Sequence, residues 1–403
     1  MKRALVLTYD YPPCTAPGAA VRSWKLAQYL PEFGWETAVV CREEKLFANT
    51  EAPSSVTRIR TPVSPHVSYQ LGAWVWAARI LPRVRALLRG SRFDLLYASC
   101  PPFPHALPAV RLAREAGIPL VADFRDAWSL DPYLGGGLVK RLTKQALCRL
   151  VYPRLEQQVM ESASAVVVCT PSMHAAYARL FPQAEQRLHL VTNGFDEADF
   201  QGAAERPKRD RPLLVYCGRF SGIAERSPDL LLRALRQAVE AGCELRFEIL
   251  GDDSAALRRS IRRFGVTDFV QARAPVPHPE AVRAMREADI LVVCQPPSRN
   301  DVSAAAGKTY EYLRCGLPIL ALVPPGDNAD LVRRYAPAHA VVTSGDPAAV
   351  AGAIHNLVAD LPRAGTAAPH PDFRAHYNRR RIAERMAGIF DDLAGVRTKR
   401  ARA

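Results

Sequence analysis

The feature that most constrains this chain is a rhythm that runs twice. Short apolar runs of strand length alternate with amphipathic stretches of helix length, as parallel α/β sheets require. Residues 5–8, 37–40, 95–98, 120–123, 165–169 and 188–191 read as strands, and helical periodicity fills most gaps, as at 21–30 and 106–116. A polar stretch with Pro and Gly at 201–212 reads as a linker. The rhythm then restarts with strands at 213–217, 246–250, 269–271, 290–293, 319–322 and 340–342, and ends in a helical stretch near 374–394. The expected fold is α/β, with two doubly wound Rossmann-like domains facing a cleft. They span 1–203 and 212–373, with a helix at about 374–396 returning to the first domain. In such sheets ligands bind beyond the carboxyl ends of the strands, which places the expected active site in the cleft.

Composition removes several classes. No apolar run reaches the ~20 residues that span a bilayer. The N-terminus starts basic and turns apolar, but Tyr9-Asp10-Tyr11-Pro12-Pro13 cuts the run short, so it reads as a buried strand and not as a signal peptide. The nine cysteines stand singly and never as Cys-x-x-Cys, which argues against zinc and against a disulfide framework. A reducing, cytoplasmic setting is expected. The net charge of +14 calls for an anionic partner: nucleic acid, phosphate ligands or a membrane face.

No Gly-x-Gly-x-x-Gly follows the first strand and no phosphate-binding Gly-x-x-x-x-Gly-Lys-Ser/Thr occurs. Asp-x-Asp, which holds a metal on a diphosphate in metal-dependent sugar transfer, is also missing, so no metal is expected. Cations are present instead. Gly218-Arg219 ends the first strand of the second half, and Arg226 precedes a helix at 228. Such a strand-end loop beside a helix N-terminus suits a diphosphate. The alternative is two solvated surface arginines. Further on, Gly307-Lys308-Thr309 opens a helix whose amides suit phosphate oxygens, with Glu311 expected in its first turn. That carboxylate could accept two ribose hydroxyls. Its plainer reading is a helix-dipole carboxylate, and that of Lys308 a solvated charge.

Taken in order, the motifs resemble the retaining glycosyltransferases of the GT-B fold, glycosyltransferase family 4, over nearly the whole chain. Tyr11-Pro12-Pro13 through Gly18-Ala19 to Arg22 is similar to the family's N-terminal loop, with Ala19 where a second glycine is usual. Asp123-Phe124-Arg125-Asp126-Ala127-Trp128 resembles the Asp-x-Arg-Asp-x-Trp segment of a branch that builds bacterial surface polysaccharides. Asn193-Gly194-Phe195-Asp196 resembles the segment before the linker. Gly218-Arg219 with Arg226 resembles a Gly-Arg…Lys-Gly segment, and Lys308-Thr309-Tyr310-Glu311-Tyr312-Leu313 with Gly316 and Pro318 the donor-binding helix. The family's paired Glu residues fall at Ser303 and Glu311, so only the second is present. The usual catalytic-face His is not obvious, and Asp126 takes roughly its strand-end place.

The resemblance implies sugar transfer with retention from a nucleotide-diphosphate sugar, without a metal. It implies catalytic roles for Asp126, Arg219 and Arg226. Donor contacts would come from Gly18, Ala19, Asn193, Gly218, Arg219, Arg226, Ser303, Gly307, Lys308, Thr309 and Glu311. Acceptor contacts would come from Arg22, Asp123, Arg125, Asp126 and Trp128. The acceptor would be a glycan or a polyprenyl-linked sugar of cell-surface polysaccharide synthesis. Two other readings share the architecture: a nucleotide-sugar 2-epimerase, and a non-catalytic sugar-nucleotide-binding protein, which Ser303 keeps open. Nucleic acid is not an expected partner, because the charge is dispersed and no binding module is recognisable. Residues 71–89 put Trp74, Ala77, Ile80, Leu81, Val84, Leu87 and Leu88 on one helical face flanked by arginines, and 138–154 is also basic and apolar. Both suit either packing on the sheet or peripheral docking on an anionic cytoplasmic leaflet.

Overall fold

The computed structural model describes residues 1–12, 17–43, 56–60, 69–130, 147, 149–202, 207–220, 227–296, 302, 305–364 and 368–400. Of these, the side chains at 17–19, 56–60, 69–70, 362–364 and 396–400 are not part of the description. The chain forms two compact units that exchange at Asn193–Gly194 and again at Asn378–Arg379.

The first unit carries seven strands: β1 (Lys2–Thr8), β2 (Trp35–Glu43), β3 (Val56–Arg60), β4 (Leu95–Cys100), β5 (Leu120–Phe124), β6 (Ala165–Val168) and β7 (Leu188–Leu190). They form one parallel sheet in the order β3-β2-β1-β4-β5-β6-β7. The interior strand β1 is set between Val39 of β2 and Tyr97 of β4 at Val6. Its residues 4–7 are fully or almost fully buried, as a strand covered on both faces must be. Strand β3 was not expected. It is a short edge strand of mixed polarity, and pairing with β2 rather than its own pattern makes it a strand.

The second unit carries β8 (Leu213–Cys217), β9 (Arg246–Leu250), β10 (Val270–Arg273), β11 (Ile290–Cys294), β12 (Ile319–Leu322) and β13 (His339–Val342), parallel in the order β10-β9-β8-β11-β12-β13. The pleat divides the core into two. Leu214 and Tyr216 enter one apolar cluster, while Val215 and Cys217 enter the other.

Two expectations about boundaries need correction. The first unit ends at Asn193, ahead of the polar stretch read as the linker. The cause is Phe195, which is fully buried in the second unit, stacks on Phe373 at 5.3 Å and donates its amide to the Tyr377 carbonyl at 3.0 Å. The final helical stretch is two helices, Pro371–Tyr377 and Arg379–Arg400, broken where Asn378 is extended. The longer one packs on the first unit. Phe390 lies edge-on to Trp35 at 5.3 Å, and Asp391 accepts from Trp35 Nε1 and from Lys2.

The helix Tyr69–Gly90 divides its apolar residues between the interior and the surface. Ala73, Trp76, Ala77, Ile80 and Val84 are buried, so most of its apolar face packs inward. Trp76 lies edge-on to Tyr9 and to His105. Leu71 and Trp74 stay exposed. The second basic stretch, 138–154, lies largely outside the described residues. Among the described residues no helix is long and apolar enough to cross a membrane.

Because Phe390 fills the face where the last helix meets β1 and β4, Phe390→Ala is expected to destabilise the first unit by ~3–5 kcal/mol. Urea unfolding followed by tryptophan fluorescence measures this. A loss below ~1 kcal/mol would mean that the helix is not part of that core.

Candidate functional site

In the second unit, chemistry-bearing residues gather where β8 ends. Gly218 follows the strand with φ 156° and donates to the Leu250 carbonyl at 2.8 Å. A Cβ placed there would stand 2.3 Å from Lys308 Nζ and 3.0 Å from the Tyr216 hydroxyl. Only glycine leaves that room, and Lys308 uses it: its ammonium lies 4.0 Å from the centroid of the Tyr216 ring, a cation–π contact. Tyr216 in turn stacks on Phe220 at 4.4 Å. The buried carboxylate of Asp252 accepts from the Phe220 amide at 2.9 Å and the Ser254 amide at 3.1 Å. That fixes the loop carrying Gly218 and Arg219. Arg219 itself is exposed beside this assembly.

The helix Gly307–Cys315 meets the same strand end. Tyr312 accepts from the Cys217 amide at 2.8 Å, and burial keeps its phenol protonated, well above the ordinary tyrosine range. The residue before the helix is Ala306, whose methyl group cannot cap it, so the first amides depend on other partners. Gly307 is open to solvent. The expectation for Thr309 changes, since its amide already bonds to the Ala306 carbonyl at 2.9 Å. Its fully buried hydroxyl has no hydrogen-bond partner among the described residues. Glu311 stands in the second turn, not the first, because the helix begins at Gly307. Its Oε1 lies 2.9 Å from His278 Nε2, and the other ring nitrogen of His278 lies 3.9 Å from Asp199. Neither His278 nor Asp252 stood out in the sequence. The contact that gives each meaning is long-range, and only Pro277 and Pro279 around His278 hinted at a rigid position. Arg226 and Ser303 lie outside the described residues.

In the first unit a different set converges where β5 ends. Arg22 reaches from the helix Pro17–Tyr29 and forks onto Asp123, Nε to Oδ2 at 2.7 Å and Nη2 to Oδ1 at 2.9 Å. Its remaining donors go to the carbonyls of Val191 and Thr192, both at 2.8 Å, and to Asn193 Oδ1 at 3.4 Å. Tyr97 also donates to Asp123. Burial opposes the charge on Arg22, but the Asp123 carboxylate more than offsets this and raises its pKa. These residues therefore form a closed buried network, and the acceptor role expected for Arg22 and Asp123 is corrected: their polar groups are spent on one another. Asn193, expected at the donor, is held by Arg22. Gly18 and Ala19 lie in the first turn of that helix and not in a loop.

The rest of the Asp-x-Arg-Asp-x-Trp segment divides. Arg125 donates to the carbonyls of Cys100 and Pro101, which pins the turn after β4. Trp128 is buried, stacked on Phe103 at 4.8 Å and edge-on to Phe124, so it is part of the core and not an acceptor platform. The loop beyond is tied by the buried Glu156, which accepts from Ser129 and Tyr177. Asp126 alone turns outward. The residue is exposed, yet crowding of its carboxylate by surrounding protein raises its pKa against the pull of Arg125. His105, near the same strand end, is buried and neutral, its pKa lowered to about 3 by burial and then by Arg125. Among the described residues, no group of three His, Cys, Asp or Glu side chains is placed to hold a metal ion.

Two family profiles match the chain: Glycosyl transferase 4-like domain over residues 17–194, and Glycosyl transferases group 1 over residues 211–360. D-inositol 3-phosphate glycosyltransferase 1 of Catenulispora acidiphila is 26% identical over 273 residues, which is 62% of this chain and 61% of that protein. The chain thus spans about three fifths of that relative's length. Sucrose-phosphate synthase of Thermosynechococcus elongatus superposes with a TM-score of 0.72 at 16% identity, over 98% of this chain and 100% of that one. Anabaena HepE, solved in complex with UDP and glucose, superposes with a TM-score of 0.65 at 16% identity, over 97% and 100%. At such identities these likenesses establish the fold: two Rossmann-like domains of the GT-B kind.

Breaking the buried fork leaves an uncompensated charge, so Arg22→Met is expected to destabilise the first unit by ~3–5 kcal/mol in urea unfolding. Adding Asp123→Leu should restore much of that loss. A double variant no more stable than the single one would overturn this account.

Proposed function

This chain belongs to the GT4-like glycosyltransferases of the GT-B fold, and on that premise we propose that it moves a sugar from a nucleotide-diphosphate sugar to an acceptor, with retention and without a metal. One observation carries the reading. Lys308 is drawn into the space that Gly218 leaves at the end of β8, beside the N-terminus of the helix Gly307–Cys315, where Gly307 is exposed. A cation and a helix N-terminus at one strand end suit a diphosphate leaving group. Arg219 adds a second, exposed cation. HepE, with the same fold, has been solved with UDP, which supports UDP as the first nucleotide to test.

In this reading Glu311 accepts from the ribose hydroxyls. Lys308, Arg219 and the amides of Gly307 and Lys308 neutralise charge as the glycosidic bond breaks. Such preorganised donors act most strongly on the charge that develops in the transition state. An oxygen of the departing phosphate takes the acceptor's proton on the face the sugar leaves, which gives retention without a carboxylate nucleophile. Asp126, the one outward-facing group of its segment, positions the acceptor. The acceptor is a glycan or lipid-linked sugar of cell-surface polysaccharide. Leu71 and Trp74, exposed on the helix Tyr69–Gly90 with Arg79 and Arg83, support docking on an anionic membrane face.

Nucleoside diphosphates and their sugars should raise the melting temperature, and hydrolysis of the effective sugar should release product of retained anomeric configuration by NMR. Transfer should persist in EDTA. Gly218→Ala, which evicts Lys308, and Arg219→Ala should each lower kcat by at least ~100-fold while the fold survives. Near-normal turnover by both variants would overturn the assignment. Trp74→Ala should weaken binding to vesicles rich in anionic lipid at low salt; unchanged sedimentation with such vesicles would remove the membrane role.

A further inference from the structure

We propose that His278 is a positioning residue for the nucleotide ribose, acting through Glu311; this rests on the reading of Glu311 as the ribose contact. A carboxylate can only accept, so the 2.9 Å contact requires the proton on His278 Nε2, donated to Glu311 Oε1. On its other side, Nδ1 faces Asp199 Oδ2 at 3.9 Å, beyond hydrogen-bond distance. No other hydrogen bond reaches the Glu311 side chain among the described residues, so Oε2 and the second lone pair of Oε1 are left for a ligand. The Glu311 side chain is 16% exposed, enough for a hydroxyl to reach and too little for free rotation.

The geometry is that of a preset receptor. Glutamate has three rotatable side-chain bonds, and ordering them at the moment of binding costs affinity. His278 removes that cost before the ligand arrives. It can do so because it is itself fixed. It is the first residue of the helix His278–Glu287, the next element after β10, and Pro277 and Pro279 on either side restrict the backbone. Glu311 belongs to a different helix, the one that leads into β12. One hydrogen bond thus sets the distance between two strand-end segments at the point where a vicinal diol would bridge to Glu311.

The alternative is a strap that merely holds the two helices together. Calorimetric titration separates the two, using whichever of UDP, GDP and ADP binds the wild type best, together with its 2′,3′-dideoxy analogue. His278→Ala is expected to lose about tenfold in affinity for the nucleoside diphosphate and nearly nothing for the dideoxy form. His278→Gln, whose amide nitrogen can take the place of Nε2, should recover most of the loss, and His278→Asn, one carbon shorter, should not. If His278→Ala fails to fold, the Gln and Asn pair carries the test. The double variant His278→Ala with Glu311→Gln should bind no more weakly than Glu311→Gln alone. Equal losses for both ligands, or additive losses in the double variant, would overturn the proposal and leave a strap. A wild type that binds none of the three diphosphates would refute the donor site itself, and this proposal with it.

Discussion

Arg22 and Asp123 make the contact on which the first unit depends. A charge pair this deeply buried loses its hydration, and it persists only when geometry is good and every remaining donor is satisfied. Here the guanidinium forks onto both carboxylate oxygens and spends its other donors on Val191, Thr192 and Asn193. The pair therefore joins the first helix, the end of β5 and the exit from β7, and Tyr97 adds β4. Four segments far apart in sequence are fixed at one point at the carboxyl end of the sheet. Arg125 extends this by holding the turn after β4, and Asp126 is presented outward as a result.

The second unit reaches the same end by other means. Its strand-end loop is held by one buried carboxylate, Asp252, and by one phenol, Tyr312. There Lys308 rests its ammonium on the ring face of Tyr216. Cation–π contact holds an ammonium in place without neutralising it, whereas a carboxylate would cancel the charge a diphosphate needs. The contrast is physical. In the first unit Arg22 is held by a carboxylate, and in the second Lys308 lies against an aromatic ring.

The fold was largely legible because it depends on what sequence displays directly. Apolar runs such as 4–7 and 290–293 are strands because they are buried on both faces, and that burial is written in consecutive residues. Strand β3 escaped because its pairing with β2 makes it a strand, and pairing is not a local property. The site was legible only in part, for the same reason. Gly218, Lys308 and Glu311 stand out as residue types in a spacing. Whether Arg22, Asp123 and Trp128 point outward or inward is decided by partners a hundred residues away, or by stacked rings, and no spacing displays that. The motif Asp-x-Arg-Asp-x-Trp reads as one functional unit, yet the fold assigns most of it to support and only Asp126 to the surface.

Glu311 shows the same division within a single side chain. In the first turn of its helix, the positive end of the helix dipole would hold it, and the dipole's effect fades within a turn. In the second turn it needs another source of order, and His278 supplies one from a separate segment. The consequence is that its orientation depends on the loop after β10, which carries the chain to His278. Any change in that loop that moves His278 also moves the carboxylate. A loop of altered length or sequence there must keep the imidazole where it is if the carboxylate is to stay placed.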